Sequence, residues 1–85
     1  MISKYDIRPG MFGQLDDGEM FVIVNGCIVL QNGEGYSLKA LDYEMNIRHH
    51  GYNKAKITQL CYAMSFRHAK RLIAEGKVIY RGNTE

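Results

Sequence analysis

The sequence has no tryptophan, one proline (Pro9) and two cysteines, Cys27 and Cys61. Two cysteines so far apart fit no metal-ligand spacing and make no disulfide framework of the kind that staples small secreted domains. Both are read as small hydrophobes buried on strands. One proline excludes polyproline and collagen-like chains. No apolar run approaches the roughly 18 residues of a membrane-spanning helix, which excludes such a helix and leaves no membrane partner. The opening Met1-Ile2-Ser3-Lys4-Tyr5-Asp6 lacks the apolar core of a signal peptide, so the expected location is the cytoplasm. Repeats, linkers and low-complexity stretches are also missing. The 85 residues therefore read as a single domain, 1–85, with an ordered core over about 8–82.

What is present is globular: 46% hydrophobic and 24% charged residues exclude a disordered chain. A core this small is thin, and self-association into a homo-oligomer is the expected supplement. The net charge is +2, but it is unevenly spread. Residues 1–44 hold three basic and seven acidic side chains, whereas residues 45–85 hold eight basic and two acidic ones. Such asymmetry gives a dipolar surface unless the two halves interleave and neutralise each other.

Pro9-Gly10 marks a turn, after which Met11 to Leu15 reads as a strand. Asp16-Asp17-Gly18 closes it with turn chemistry. Glu19 to Val24 is the strongest strand, with Phe21 and Ile23 on one side and Met20, Val22 and Val24 on the other. Asn25-Gly26 between apolar runs predicts a two-residue hairpin into Cys27–Leu30. A loop over Asn32–Gly35 leads to a short extended piece, Tyr36-Ser37-Leu38. Leu41 to Asn46 reads as one 3-10 turn or irregular chain, and Arg48 to Lys54 as a polar loop. Ala55 to Tyr62 is a strand whose alternation is imperfect, so its inner face is not legible. Ser65 is a natural N-cap for a helix reaching Glu75, with Gly76 placed to end it. Phe66, Ala69, Leu72 and Ile73 share one face of that helix. Lys77 to Arg81 reads as a last strand, and Gly82 to Glu85 as a fraying tail. The fold class is mainly β: a small antiparallel barrel of about five strands, with one short helix before the last strand.

This layout resembles small proteins of phages and Gram-positive mobile elements with an SH3-like β-barrel. The resemblance rests on Gly10-Met11, Asp17-Gly18, Gly35-Tyr36, Leu41, Tyr43 and Asn46. It continues through Ile57, Leu60 and Tyr62 to Val78-Ile79-Tyr80-Arg81, and so covers most of residues 8–82. The chain departs from the pattern at Lys56, where an aspartate is usual, and at Tyr80, where a tryptophan is usual. A helix also replaces an often irregular stretch. The resemblance implies a barrel and a mobile-element setting, without a reaction.

Few residues suggest catalysis. Cys61, His68 and Asp42 form no recognisable triad by spacing. His49-His50 and His68 lack a completed ligand set, since adjacent residues of an extended chain point to opposite faces. Asn32-Gly33-Glu34-Gly35 lacks the Lys-Ser/Thr of a phosphate loop. The expectation is therefore a non-enzymatic protein without metal or cofactor. Its leading reading is an accessory protein that engages a protein partner, a host factor or another copy of itself, through Met20, Val22, Val24, Tyr36 and Tyr43. The first alternative is nucleic-acid binding by the basic half. There Arg67, Lys70 and Arg71 share the polar face of the helix, with Lys54, Lys56, Arg48 and Arg81 nearby and Tyr36, Tyr43, Tyr52, Tyr62 and Tyr80 as stacking surfaces. The second alternative is an oligomer that sequesters a small molecule or nucleotide.

Overall fold

The structure, a computed structural model, describes residues 2–82. Seven strands and one helix follow in order: β1 (Met11–Leu15), β2 (Met20–Val24), β3 (Cys27–Leu30), β4 (Gly35–Ser37), β5 (Asn46–His49), β6 (Tyr52–Tyr62), α1 (Phe66–Ala74) and β7 (Tyr80–Arg81). Six of them, ordered β4-β3-β2-β1-β6-β5 and all antiparallel, curl into a nearly closed barrel, and β7 pairs with β6 beyond β5. The gap between β4 and β5 is bridged by an edge contact of Tyr36 with His49, 5.6 Å between ring centroids. The expected small barrel with a helix before the last strand is what forms. Its sheet has seven strands, six of them in the barrel, where about five were expected.

Turn chemistry sets the register. Asn25 (φ 48) and Gly26 (φ 77) make the two-residue turn that brings Val24 opposite Cys27. Leu15 N–H donates to Glu19 O at 2.8 Å around a three-residue loop, and Leu30 N–H donates to Glu34 O at 2.7 Å around a second. Gly18 (φ 92) and Gly33 (φ 98) supply the left-handed residue of each.

One segment differs from expectation. The polar stretch 48–54 is the tip of the β5–β6 hairpin, with His50 (φ 51) and Gly51 (φ 83) in a two-residue turn between His49 and Tyr52. A polar composition hid a hairpin whose signal is a residue tolerant of positive φ followed by glycine. The stretch Leu41–Asn46, expected as one 3-10 turn or irregular chain, takes the second form: Asp42 to Asn46 is a tight turn leading into β5, and a 3-10 turn precedes it at Leu38–Ala40. Another 3-10 turn, Lys4–Asp6, precedes the Pro9-Gly10 turn.

Strand β6 is the shared spine. Its first half pairs with β5, and its second half lies between β1 and β7. Gln59 stands opposite Gln14, but Ile57 stands opposite Leu15, so Thr58 is an extra residue. Thr58 Oγ1 donates to Gln14 O at 3.1 Å. The bulge lets Ile57 and Leu60, three residues apart, both enter the barrel, which is why the alternation looked broken.

The interior holds Ile7, Met11, Leu15, Phe21, Ile23, Ile28, Leu30, Leu41, Met45, Ile47, Ile57 and Leu60. Burying each such aliphatic side chain is worth roughly 1.5–3 kcal/mol. A second, smaller cluster lies outside the barrel wall, where Met20 and Cys61 are sealed by Ala69 of α1, with Phe12, Phe66, Leu72, Ile73 and Val78 around them. Strand β2 thus turns Phe21 and Ile23 to the core and Met20 to the helix. The last strand is shorter than expected, Tyr80–Arg81, although Ile79 N–H donates to Leu60 O at 2.9 Å. Of the tail expected to fray, Gly82 is tied to Thr58 O at 2.7 Å, and residues 83–85 lie outside those described.

Candidate nucleic-acid interface

Helix α1 is fixed at both ends by its own sequence. Ser65 Oγ accepts from His68 N–H at 3.1 Å, and His68 Nδ1 accepts from Met64 N–H at 3.1 Å. At the other end Gly76 (φ 75) donates to Ile73 O and Lys77 to Leu72 O, at 3.1 and 2.8 Å, a Schellman ending. Phe66 meets Phe12 edge-on at 5.2 Å. With Phe66, Ala69, Leu72 and Ile73 turned to the sheet, the 3.6-residue period turns Arg67, Lys70 and Arg71 to solvent, and all three are exposed.

The sheet beside the helix carries a polar row. Alternation with inward Leu60 places Gln59 and Cys61 outward, and Gln14 lies opposite Gln59 on β1. Gln59 Nε2 donates to Gln14 Oε1 at 3.1 Å, and Arg81 Nη2 donates to Gln59 Oε1 at 3.2 Å. Gln14 Nε2 in turn donates to Gly18 O at 3.2 Å. Arg81 lies near Gly76, at the carbonyl end of α1, where a cation is favoured. Lys56 points outward between inward Ala55 and Ile57, and its backbone exchanges hydrogen bonds with Asp16. Lys54, at a second register shift, is exposed.

Basic side chains concentrate in one continuous stretch of the chain. Residues 45–74, covering β5, β6 and α1, contain six Lys or Arg and no Asp or Glu. The ion pair seen is local, Lys77 with Glu75 at 3.3 Å. Among the described residues, Arg67, Lys70, Arg71 and Lys54 meet no carboxylate. Acidic side chains gather at the turns instead, where Asp17 and Asp42 accept backbone N–H bonds and Glu19 binds Asn32 N–H.

The strip expected to meet a protein does not form one surface. Met20 is buried beneath α1, because the helix covers the outer side of β2. Val22 and Tyr36 are half-buried, Val24 is exposed on β2, and Tyr43 is exposed in the turn before β5. Tyr43 has a partner that the sequence did not reveal: its hydroxyl is 2.9 Å from that of Tyr5, and Lys4 Nζ lies 4.8 Å from the Tyr43 ring centroid and 5.5 Å from that of Tyr5. The Tyr43 hydroxyl beside it holds the Tyr5 phenol above its ordinary pKa.

Cys61, His68 and Asp42 are each occupied locally. Burial pushes the Cys61 thiol up, His68 Nδ1 takes the Met64 N–H, and Asp42 closes its own turn. Cys27 is exposed and unpaired, which corrects the expectation that both cysteines are buried. His49 and His50 do not point apart, since the left-handed His50 folds back and their ring centroids are 4.1 Å apart. Among the described residues no group of three His, Cys, Asp or Glu is placed to hold a metal, and no helix is long and apolar enough to cross a membrane. A shallow recess of about 580 Å³ lies between the N-terminal segment and the barrel, lined by Ile2, Asp6, Arg8, Met11, Tyr62 and Ile79.

Comparison with known proteins finds no matching family model, no similar curated protein and no similar solved structure.

Proposed function

We propose that this chain is a non-enzymatic nucleic-acid-binding barrel that grips a phosphate backbone with the outward face of α1. One observation carries the reading: Arg67, Lys70 and Arg71 stand within about one helical turn, exposed and without a carboxylate partner among the described residues. Arg67 to Arg71 spans about 6 Å along the axis, the reach of roughly two nucleotides of one strand. The acid-free run of β5, β6 and α1 extends the positive potential over that side of the barrel.

The test is fluorescence anisotropy with labelled single- and double-stranded DNA and RNA at about 50 and 200 mM salt, where phosphate-driven binding weakens steeply. The variant with Arg67, Lys70 and Arg71 all replaced by Ala should lose most of the affinity, and its salt slope should shrink by about two to three. Absence of binding by the parent protein at low salt, or equal binding by the variant, would remove the reading.

A second reading, engagement of a protein partner, is favoured by the apolar rim of the recess. Tyr62 and Ile79 are 58% and 41% exposed there, and Met64, two residues after Tyr62, is 90% exposed. Replacing Tyr62 and Met64 by Ser would abolish such a complex, whereas replacing Arg67, Lys70 and Arg71 by Ala would leave it intact.

A further inference from the structure

We infer that Arg81 is the oriented phosphate contact of this interface, and that Gln59 and Gln14 are positioning residues that aim it. The inference rests on the nucleic-acid reading above and names how that site fixes its ligand.

The argument starts from polarity. A guanidinium only donates, so Gln59 must turn its carbonyl oxygen to Arg81, which leaves its amide N–H₂ facing β1. Gln14 must then present its own carbonyl oxygen, and its N–H₂ ends on the carbonyl of Gly18, which only accepts. Both ends of the chain are groups of a single polarity, so neither amide can flip without losing bonds at both of its ends. Such aligned hydrogen bonds polarise one another. The row crosses β1, β6 and β7 on the side of the sheet that carries α1.

The bond to Gln59 uses one N–H of the Arg81 guanidinium, and Arg81 is exposed. Its remaining donors form a planar fork of the kind that binds phosphate oxygens in pairs. Lys70 and the arginines of α1 have no such support and act as mobile charges. Arg81 is held in place, so less freedom is lost when it meets an anion.

A purely structural role, pinning the two-residue β7, must be separated from this one. Gln59→Glu does so. The new carboxylate would hold Arg81 at least as firmly, but would neutralise it. Gln31→Glu, on an exposed turn residue two strands from Gln14 and four from Arg81, changes the net charge by the same amount without reaching Arg81. The experiment measures melting temperature and anisotropy with a labelled oligothymidylate for the parent, Arg81→Ala, Gln59→Glu and Gln31→Glu.

The expected result is a loss of about fivefold or more in affinity and about one unit of salt slope for Arg81→Ala and for Gln59→Glu. Gln59→Glu forfeits the amide bond to Gln14 and gains a charged bond to Arg81, so it should melt within a few degrees of the parent, and Gln31→Glu should bind within about twofold of it. If the parent binds but Gln59→Glu merely matches Gln31→Glu, Arg81 is a strand anchor and the inference is overturned while the interface stands. If the parent binds no oligonucleotide at low salt, the interface itself fails and this inference falls with it.

Discussion

Gly13 of β1 and Phe21 of β2 are cross-strand partners, and the Phe21 ring fills the space a side chain on Gly13 would need. A methyl group there would overlap both the ring and the carbonyl oxygen of Gln59. Backbone cannot step aside as a flexible side chain can, and Phe21 is fully buried. Gly13→Ala should therefore cost about 2–4 kcal/mol, at the overpacking end of core substitutions, against a total stability of roughly 5 kcal/mol for so small a domain. Thermal unfolding followed by circular dichroism should show a large fall in melting temperature or no cooperative transition. A melting point within a few degrees of the parent would show that the wall of the barrel yields.

The turn from Asp42 to Asn46 uses the same bonding scheme as the two glycine turns, with Met45 (φ 68) in the left-handed position. A left-handed residue other than glycine costs roughly 1–2 kcal/mol. The Met45 side chain is 3% exposed, and its removal costs roughly 2–5 kcal/mol. Packing outweighs strain, so Met45→Gly should be destabilising by about 2 kcal/mol, a fall of roughly 10 °C in melting temperature. A stabilised variant would mean that the backbone conformation dominates.

These two positions show what was legible and why. Gly18, Gly26 and Gly33 announced their turns, because glycine beside Asp or Asn is a local signal. Gly13 gave no turn signal and reads as an ordinary strand residue, since its reason is a ring eight positions along the chain that only the pairing of β1 with β2 brings to it. Met45 was illegible for the opposite reason, since methionine is not a usual left-handed residue, and His50, which tolerates that conformation, was masked by the polar run around it. The helix was readable from Ser65 to Gly76, and so were its outward cations, because capping and the 3.6-residue period are local. The Gln14–Gln59–Arg81 row was hidden by the bulge at Thr58, which breaks the alternation that would have placed Gln59.

Acid should weaken the fold through Asp42. Its partial burial works to raise its pKa, but the N–H groups of Asn46 and Glu44, the Asn46 amide and nearby Arg48 outweigh this and hold it below the ordinary range. Asp6 is held down as well, first by the Ser3 N–H. A pKa lowered on folding stabilises above the unfolded value, about 3.9, and that stability is lost as pH falls through the folded value. Stability to urea should thus be flat from about pH 7 to 5 and drop below about pH 4. Asp42→Asn should flatten part of that drop, because it loses at neutral pH the same stability that the parent loses in acid. An unchanged acid limb in the variant would assign the loss to other carboxylates.

The two free thiols give a readout of α1 itself. Cys27 is exposed on β3, whereas Cys61 is 1% exposed beneath the helix, with its thiol pKa raised by burial. The thiolate is the reactive form, so Cys27 should react with a disulfide reagent at once and Cys61 only when α1 lifts from the sheet. Ser65→Ala removes the N-cap and should destabilise the helix by about 1 kcal/mol, which speeds Cys61 labelling roughly fivefold and leaves Cys27 unchanged. If nucleic acid binds across Arg67, Lys70 and Arg71, it binds the docked helix and must disfavour the lifted one by mass action. A saturating oligonucleotide at low salt should then slow Cys61 labelling in proportion to its occupancy, and Cys27 should keep its rate. Equal slowing of both thiols would mean general shielding of the protein, and no slowing of Cys61 would place the bound strand away from α1.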